Sequence, residues 1–574
     1  MRIKTFSLVL TECAQPHTLS NCRLVIDAQN FFYNSYEKSG LTYQYGAECD
    51  GYADYLKTKV LSKFNECNIE CYFIFKGGVK NLEKKISRNQ QTHNMQNRIY
   101  PTFMEDIHLQ VLDEMGIKYV FTEYEAKADC IALAKRMSCP VLSFDIEFAF
   151  ADVQYVPIPT LEYDEDQKRV NCKIFLLNNL LQKFSIREKD KLPFFIVLTD
   201  VLVFPENTFR NLYEHLRIPE NNPKLKLERL LKWLSETDTT TIMTKIINHA
   251  NVSENDIREA LQNVVKVIEP DLPGSLAIDY LNHDTTDATA ESWFQKGVAL
   301  NFIAKKYINI YRSKKLHISS SGNDTEIWQT SLNIIKYAYD LLTNFRYPEM
   351  QVLIDHWDPL SQSMLVRSSV ERPIYEAQEC VFENGWNAIV SLHLFQHFMI
   401  KDNNFEFDKL EQVPPDVQLL FITLVYLHRK KSEATVLHHG VLLCYVLLGV
   451  VKVMLKGGNN EAWDQVQLTL KDCESAEKVL HEHSALTPQM NEGLRCSLLE
   501  FQLCLQQFNY LNRLCGLPFK PTVYSKTFNA TFVYNILCTA ENEDKTLFFR
   551  TLLGRAPSVL KVFNRLVRLF ERFL

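Results

Sequence analysis

The chain has 574 residues, with 63 Lys and Arg against 69 Asp and Glu and a formal net charge of −6. That length exceeds what one hydrophobic core organises, so two or three domains are expected. The acidic balance excludes a protein drawn to nucleic acid by global charge, so any such contact must come from a local basic patch.

Hydrophobic residues make up 46% and aromatics 12%, an ordinary globular composition. The 15 cysteines are scattered, Cys67 and Cys71 being the closest pair, and no CxxC occurs. This excludes a zinc ribbon or a disulfide framework and points to reduced, intracellular thiols. The opening FSLVL is too short for a signal-peptide core. The longest apolar run, 440–451, falls short of the ~20 residues a membrane span needs. A soluble protein with no membrane partner is expected.

In chain order, LVIDA at 24–28 reads as a buried strand ending in Asp27, followed by the helix-like QNFFYNSYEK. Apolar positions Tyr52, Tyr55, Leu56, Val60 and Phe64 recur at helical spacing. CYFIF at 71–75 is the next strand, ending at Lys76-Gly77-Gly78, and a basic helix is expected over about 79–98. Residues 103–115 form an amphipathic helix. Then comes the segment that organises the rest: IKYVF at 117–121 as a strand, a helix capped by Thr122 or Glu123 with Glu125 in its first turn, and a strand over 139–144. Asp145 and Glu147 follow that strand. Strands alternating with helices predict a parallel sheet covered on both faces, whose carboxyl ends share a crevice. Acids crowded there suggest a divalent-metal site.

Further on, EYDED at 162–166 reads as an acidic loop, 175–184 and 192–198 as helices, with Asp200 after the second. Two helices around a Pro-Asn turn fill 205–235. Polar stretches 283–290 and 317–326 are linker candidates. Beyond about 327 strand signals almost vanish and helical patterns dominate, at 327–344, 385–400, 416–430, 435–455, 491–515 and 557–573. The expected architecture is an α/β domain over 1–235, a helical extension over 236–326 and an all-helical domain over 327–574.

The ordered set is Asp27, Phe75-Lys76-Gly77-Gly78, Glu125-Ala126-Lys127-Ala128-Asp129, Asp145-Ile146-Glu147 and Asp200. It resembles the XPG/flap-endonuclease superfamily, a PIN-like nuclease fold, and within it the asteroid family. SFDIEFAFADV is the most specific part. The resemblance implies carboxylates holding two divalent ions, Mg²⁺ or Mn²⁺, that generate the attacking hydroxide and stabilise the leaving oxygen of a phosphodiester. Carried over by position, the catalytic and metal-binding acids are Asp27, Glu125, Asp145, Glu147 and Asp200. Two family acids fall on Lys76 and Lys127, where a cation competes with a metal ion for the same field. At ~4 Å and an effective dielectric of ~20, each unit pair is worth about 4 kcal/mol. Asp129 stands close enough along the chain to substitute in part. The family's N-terminal glycine is Arg2. Taken singly, Asp27 and Asp145 also read as helix caps and Glu125 as a helix-dipole carboxylate.

Between 57 and 98 there are nine Lys/Arg against three Glu. In the resembled family the helix after the second strand grips phosphates, which implies Lys80, Lys84, Lys85 and Arg88 as the nucleic-acid contacts; a solvated helix face is the alternative. His393 and His397 share metal-ligand spacing but lack the Glu of H-E-x-x-H and read as ordinary core or surface histidines. The terminal helix over 557–573 reads as a lid on the helical core, or else as a partner or membrane-surface helix. The resemblance implies a structure-specific DNA endonuclease acting on single-stranded or overhanging DNA in nuclear repair, its metal site partly degenerate. The alternative is a non-catalytic scaffold binding DNA, or a protein partner through the helical domain.

Overall fold

The apolar runs at 24–28, 71–75, 117–121 and 139–144 become four parallel strands of one sheet. The structure is a computed structural model that describes the chain except residues 1–2, 4, 43–44, 47, 80–100, 206, 220, 270–280, 282–292, 320–324, 356–361, 368–381, 383–385, 387–390, 404, 432–436, 459–462, 464–466 and 542. Strands β1 (Gln15–Leu19) to β8 (Arg169–Ile174) lie in the first third of the chain. β2 (Cys22–Asp27), β3 (Ile69–Phe75), β4 (Lys118–Phe121), β5 (Val141–Ser143) and β6 (Tyr155–Pro157) form the five-stranded sheet in the order β4-β3-β2-β5-β6. All four pairings are parallel. Strands buried on both faces need continuous apolar runs, and ECYFIF in β3 supplies one, with only Glu70 exposed. Phe32 locks the following helix onto the sheet, stacking 5.2 Å from Phe73 and 5.8 Å from Phe75.

The chain builds outward from β2 to β4, then returns to the other side of β2 for β5. The strand order therefore reverses between β2 and β5, and such a switch point opens a crevice at the carboxyl ends. Ile26 pairs with Leu142, which brings Asp27 level with Ser143.

A second, antiparallel sheet joins β1, β8 and β7 (Glu162–Asp164) in the order β1-β8-β7. The acidic stretch at 162–166 is thus one arm of a hairpin rather than a plain loop. β1 escapes sequence detection because QPHTL is polar and carries Pro16, composition suited to an exposed edge strand.

The chain divides into two compact units, Met1–Ser35 with Thr58–Lys76 and Gly116–Ala288, and Tyr36–Lys57 with Gly77–Met115 and Thr289–Leu574. The second is mainly helical. Its 23-residue helix Glu492–Leu514 is buried almost throughout from Leu498 onward. Strands persist beyond 327 after all. β10 (Glu349–Asp355) pairs parallel with β9 (Lys315–Ser319) and antiparallel with β11 (Gln362–Arg367). The terminal helix Pro557–Glu571 buries Val559, Val562, Phe563, Leu566 and Phe570, the spacing of a helix lying on a core. The apolar run at 440–451 extends into a 19-residue helical stretch, Leu437–Leu455, apolar enough by composition to cross a membrane. In the folded chain 78% of its apolar window is buried, as in a core helix.

Candidate active site

Asp27 ends β2 and is buried. Its Oδ2 accepts from Ser143 Oγ at 2.7 Å and from Asn30 Nδ2 at 2.8 Å. Burial raises its pKa, the two donors oppose that rise, neighbouring Asp145 adds to it and Lys127 opposes it. Ser143, the last residue of β5, also accepts from the Asp145 backbone N at 3.0 Å. Asp145 in turn caps the short 3₁₀ turn Ile146–Ala149, its Oδ1 accepting from Glu147 N at 2.9 Å. One hydroxyl thus ties the acid of β2 to the acid after β5 across the switch point.

The two lysines are seated on acids. Lys76, one residue beyond β3, places Nζ 2.5 Å from Glu125 Oε1, whose side chain is 66% exposed. Lys127 forms an ion pair with Glu147, with side chains only 19% and 13% exposed. Burial lowers the Lys127 pKa; Asp145, Glu125 and Asp27 oppose that, and Lys76 reinforces it. Four carboxylates from three chain segments therefore act on this ammonium group.

Glu125 lies outside the helix expected to hold it. The helix is Lys127–Met137, with Ala126 at its cap position and no capping side chain. Thr122 does not cap it: its hydroxyl bonds to the carbonyls of Phe75 and Tyr124. Glu125 is thus a loop residue free to reach Lys76, while Lys127 opens the helix. Asp200, expected after a helix, ends Leu192–Thr199, is buried, and accepts from Leu202 N at 2.9 Å within its own turn. Its backbone pairs with Ile3. Asp129 lies in the first turn of the helix that Lys127 opens. Lys80, Lys84, Lys85, Arg88 and Arg2 lie outside the described residues.

Sequence reading missed Ser143 and Asn30. The signals were present: Asn30 sits one helical turn after Asp27, and Ser143 stands two residues before an acid at a strand end. Gly78 keeps its glycine for packing, since a Cβ there would lie 2.7 Å from Asn309 Oδ1.

Whether these residues suit a pair of divalent ions is a question of donors and charge. Among the described residues no three His, Cys, Asp or Glu side chains converge as a cation cage. An ammonium group occupies Glu147 and another occupies Glu125. The arrangement does not fit a two-ion centre.

The asteroid N-terminal domain family matches residues 416–574. A human protein named single-strand DNA endonuclease ASTE1 is 22% identical over 589 aligned positions, covering 90% of this chain and 82% of that one. The mouse protein of the same name is 24% identical, covering 96% and 87%. The chain is thus similar to asteroid proteins along most of its length. The Drosophila melanogaster protein asteroid matches this chain at 29% identity over 171 positions, 28% of this chain and 20% of that one. Among solved structures, human GEN1 in complex with Holliday junction DNA gives a TM-score of 0.30 at 12% identity, covering 59% of this chain and 80% of its own. The catalytic core of Rad2 gives 0.28 at 16%, covering 48% and 88%.

Proposed function

We propose that this chain is an asteroid-type, nuclease-fold protein that engages single-stranded or overhanging DNA, with metal-dependent phosphodiester cleavage silenced. The observation that carries this reading is Lys127, seated on Glu147 and surrounded by Asp145, Glu125 and Asp27. A fixed ammonium group supplies positive charge to the carboxylates while occupying the oxygens a divalent ion needs. The DNA assignment draws on the names of the relatives and on the basic run from Lys57 to Arg98. Nuclear DNA repair is the matching setting, and the helical unit is the candidate surface for a protein partner.

A second reading keeps the enzyme. Asp27 and Asp145 remain bridged by Ser143 at the switch point, and Glu147 and Asp200 are retained, so a weakened Mg²⁺- or Mn²⁺-dependent endonuclease is the alternative. Labelled single-stranded and overhang DNA incubated with either ion separates the two. The proposal expects binding without cleavage, unchanged by Asp145→Ala. Cleavage that disappears in Asp145→Ala would overturn it in favour of the enzyme.

A further inference from the structure

Phe144 stands between Ser143 and Asp145, at the carboxyl end of β5. Of the described phenylalanines it alone is exposed, at 42%. Nearly every other described aromatic near the sheet is spent on packing, as with Phe75 stacked 4.8 Å from Phe121 and Phe6 stacked 5.0 Å from Phe150. Phe144 makes no ring contact with any described residue. The ring is left partly in water at the strand end, while its neighbours Leu142 and Phe148 are fully buried.

The backbone beneath the ring is fixed. Val141 and Leu142 are paired to β2 on one side and to β6 on the other. Ser143 is bonded to Asp27 and to Asp145 N, and Asp145 is bonded to Glu147 N. Such a platform loses little conformational entropy when a flat ligand lands on it. The charge of the crevice selects what that ligand is. Asp27, Glu125, Asp145 and Glu147 outnumber Lys76 and Lys127, which opposes a phosphate at this point. A nucleobase is uncharged, has a π-face whatever its identity, and stacks on an aromatic ring when its strand is unpaired.

We propose that Phe144 is a stacking platform for one unpaired nucleobase at the mouth of the crevice. This rests on the reading of the chain as a single-strand DNA binder, and gives that reading a contact distinct from the basic run. A base in a duplex is already stacked on its neighbours and cannot use the platform, so the contact favours single strands.

The test uses the full chain in EDTA, with a fluorescein-labelled oligothymidylate followed by anisotropy and an oligonucleotide carrying 2-aminopurine to report stacking. Phe144→Ala is expected to weaken single-strand binding about tenfold, the loss of one base stack. Phe144→Leu weakens it as much, and Phe144→Trp restores it with indole emission quenched on binding. Duplex affinity and thermal melting stay at the unaltered values in all three. Equal affinity for Phe144→Ala and the unaltered chain, with 2-aminopurine emission unperturbed in both, would overturn the platform and leave the DNA reading standing. Full rescue by Phe144→Leu would overturn it too, as a plain apolar contact. If the unaltered chain binds no single strand at all, the DNA reading itself fails and takes the platform with it.

Discussion

Lys127 is the residue on which the crevice turns, because removing its charge takes a cation away from Glu147, Asp145, Glu125 and Asp27 at once. Breaking a largely buried ion pair from one side costs about 3 kcal/mol, so Lys127→Met should lower the urea midpoint at pH 7 by a corresponding amount. The combined change Lys127→Glu with Lys76→Asp should convert the cluster into a cation site. Mn²⁺ is then expected to raise the melting temperature of the double variant and leave that of the unaltered chain where it is. No shift in the double variant would show that charge alone was not what kept metal out. Ser143→Ala is the companion experiment. It removes a donor from a buried carboxyl, at about 1–3 kcal/mol. The sign with pH follows from the raised pKa of Asp27. A carboxyl raised above 3.8 keeps its proton longer in the folded state, so its contribution is fully present below 3.8 and is lost as pH climbs through the native value. Losing the Ser143 bond raises that native value further, so the pH-dependent loss in Ser143→Ala should extend to higher pH.

Elements buried on both faces could be read from the sequence, because the apolar run and the strand are the same physical object. LVID in β2 and CYFIF in β3 carry that signal, and the acids at their ends follow from it. Where the chain departs from the expectation, the cause is local bonding. Thr122 and Glu123 look like helix caps, but Thr122 donates to two carbonyls instead of accepting from the helix, so the helix waits until Lys127. The pairing of each lysine with its acid depends on side chains 49 and 20 positions apart in sequence, which no periodicity encodes. The place of Ser143 before an acid at a strand end was readable, but its bond to Asp27, 116 positions away, was not. At this scale the Leu437–Leu455 stretch offers a quantitative check. Its middle, Val446–Val451, has π-helical bonding, and a Cβ on Gly449 would lie 2.8 Å from the Lys526 carbonyl oxygen. Helix propensity alone favours Gly449→Ala by about 1 kcal/mol. Overpacking against backbone costs about 1–3 kcal/mol and cannot be relieved by a rotamer change, so the clash decides the sign. Gly449→Ala should destabilise in urea titration despite the better helix former.

The second compact unit draws on three parts of the chain, and its buried polar groups show how far apart their partners lie. Asp50 is held by Lys452 Nζ at 2.7 Å and Asn529 Nδ2 at 2.7 Å. Asp106, also buried, accepts from Gln506 at 2.9 Å and Tyr510 at 3.2 Å, with Arg513 at 3.4 Å. A chain ended at residue 326, the boundary suggested by composition, would strand both carboxylates without these partners. It is therefore expected to be insoluble or to lack a cooperative melt. The same unit carries a pH sensitivity that does not involve the crevice. His108 is buried beside Tyr52, with its Nε2 2.8 Å from the Tyr52 hydroxyl, and burial holds its pKa well below 6.5. The folded state keeps this ring neutral while the unfolded chain protonates it near 6.5, so below that pH the unfolded state binds one proton more. Stability from this group is therefore present above 6.5 and is lost as pH falls toward the depressed native value. Replacing His108 with Phe sacrifices the Tyr52 bond, so its stability at pH 7 should fall by about 1 kcal/mol. The slope of stability against pH between 6.5 and 5 should nevertheless flatten by up to one proton's worth, about 1.4 kcal/mol per pH unit. Denaturant titrations at three or four pH values read that slope directly, and an unchanged slope would mean that His108 is already protonated inside the fold.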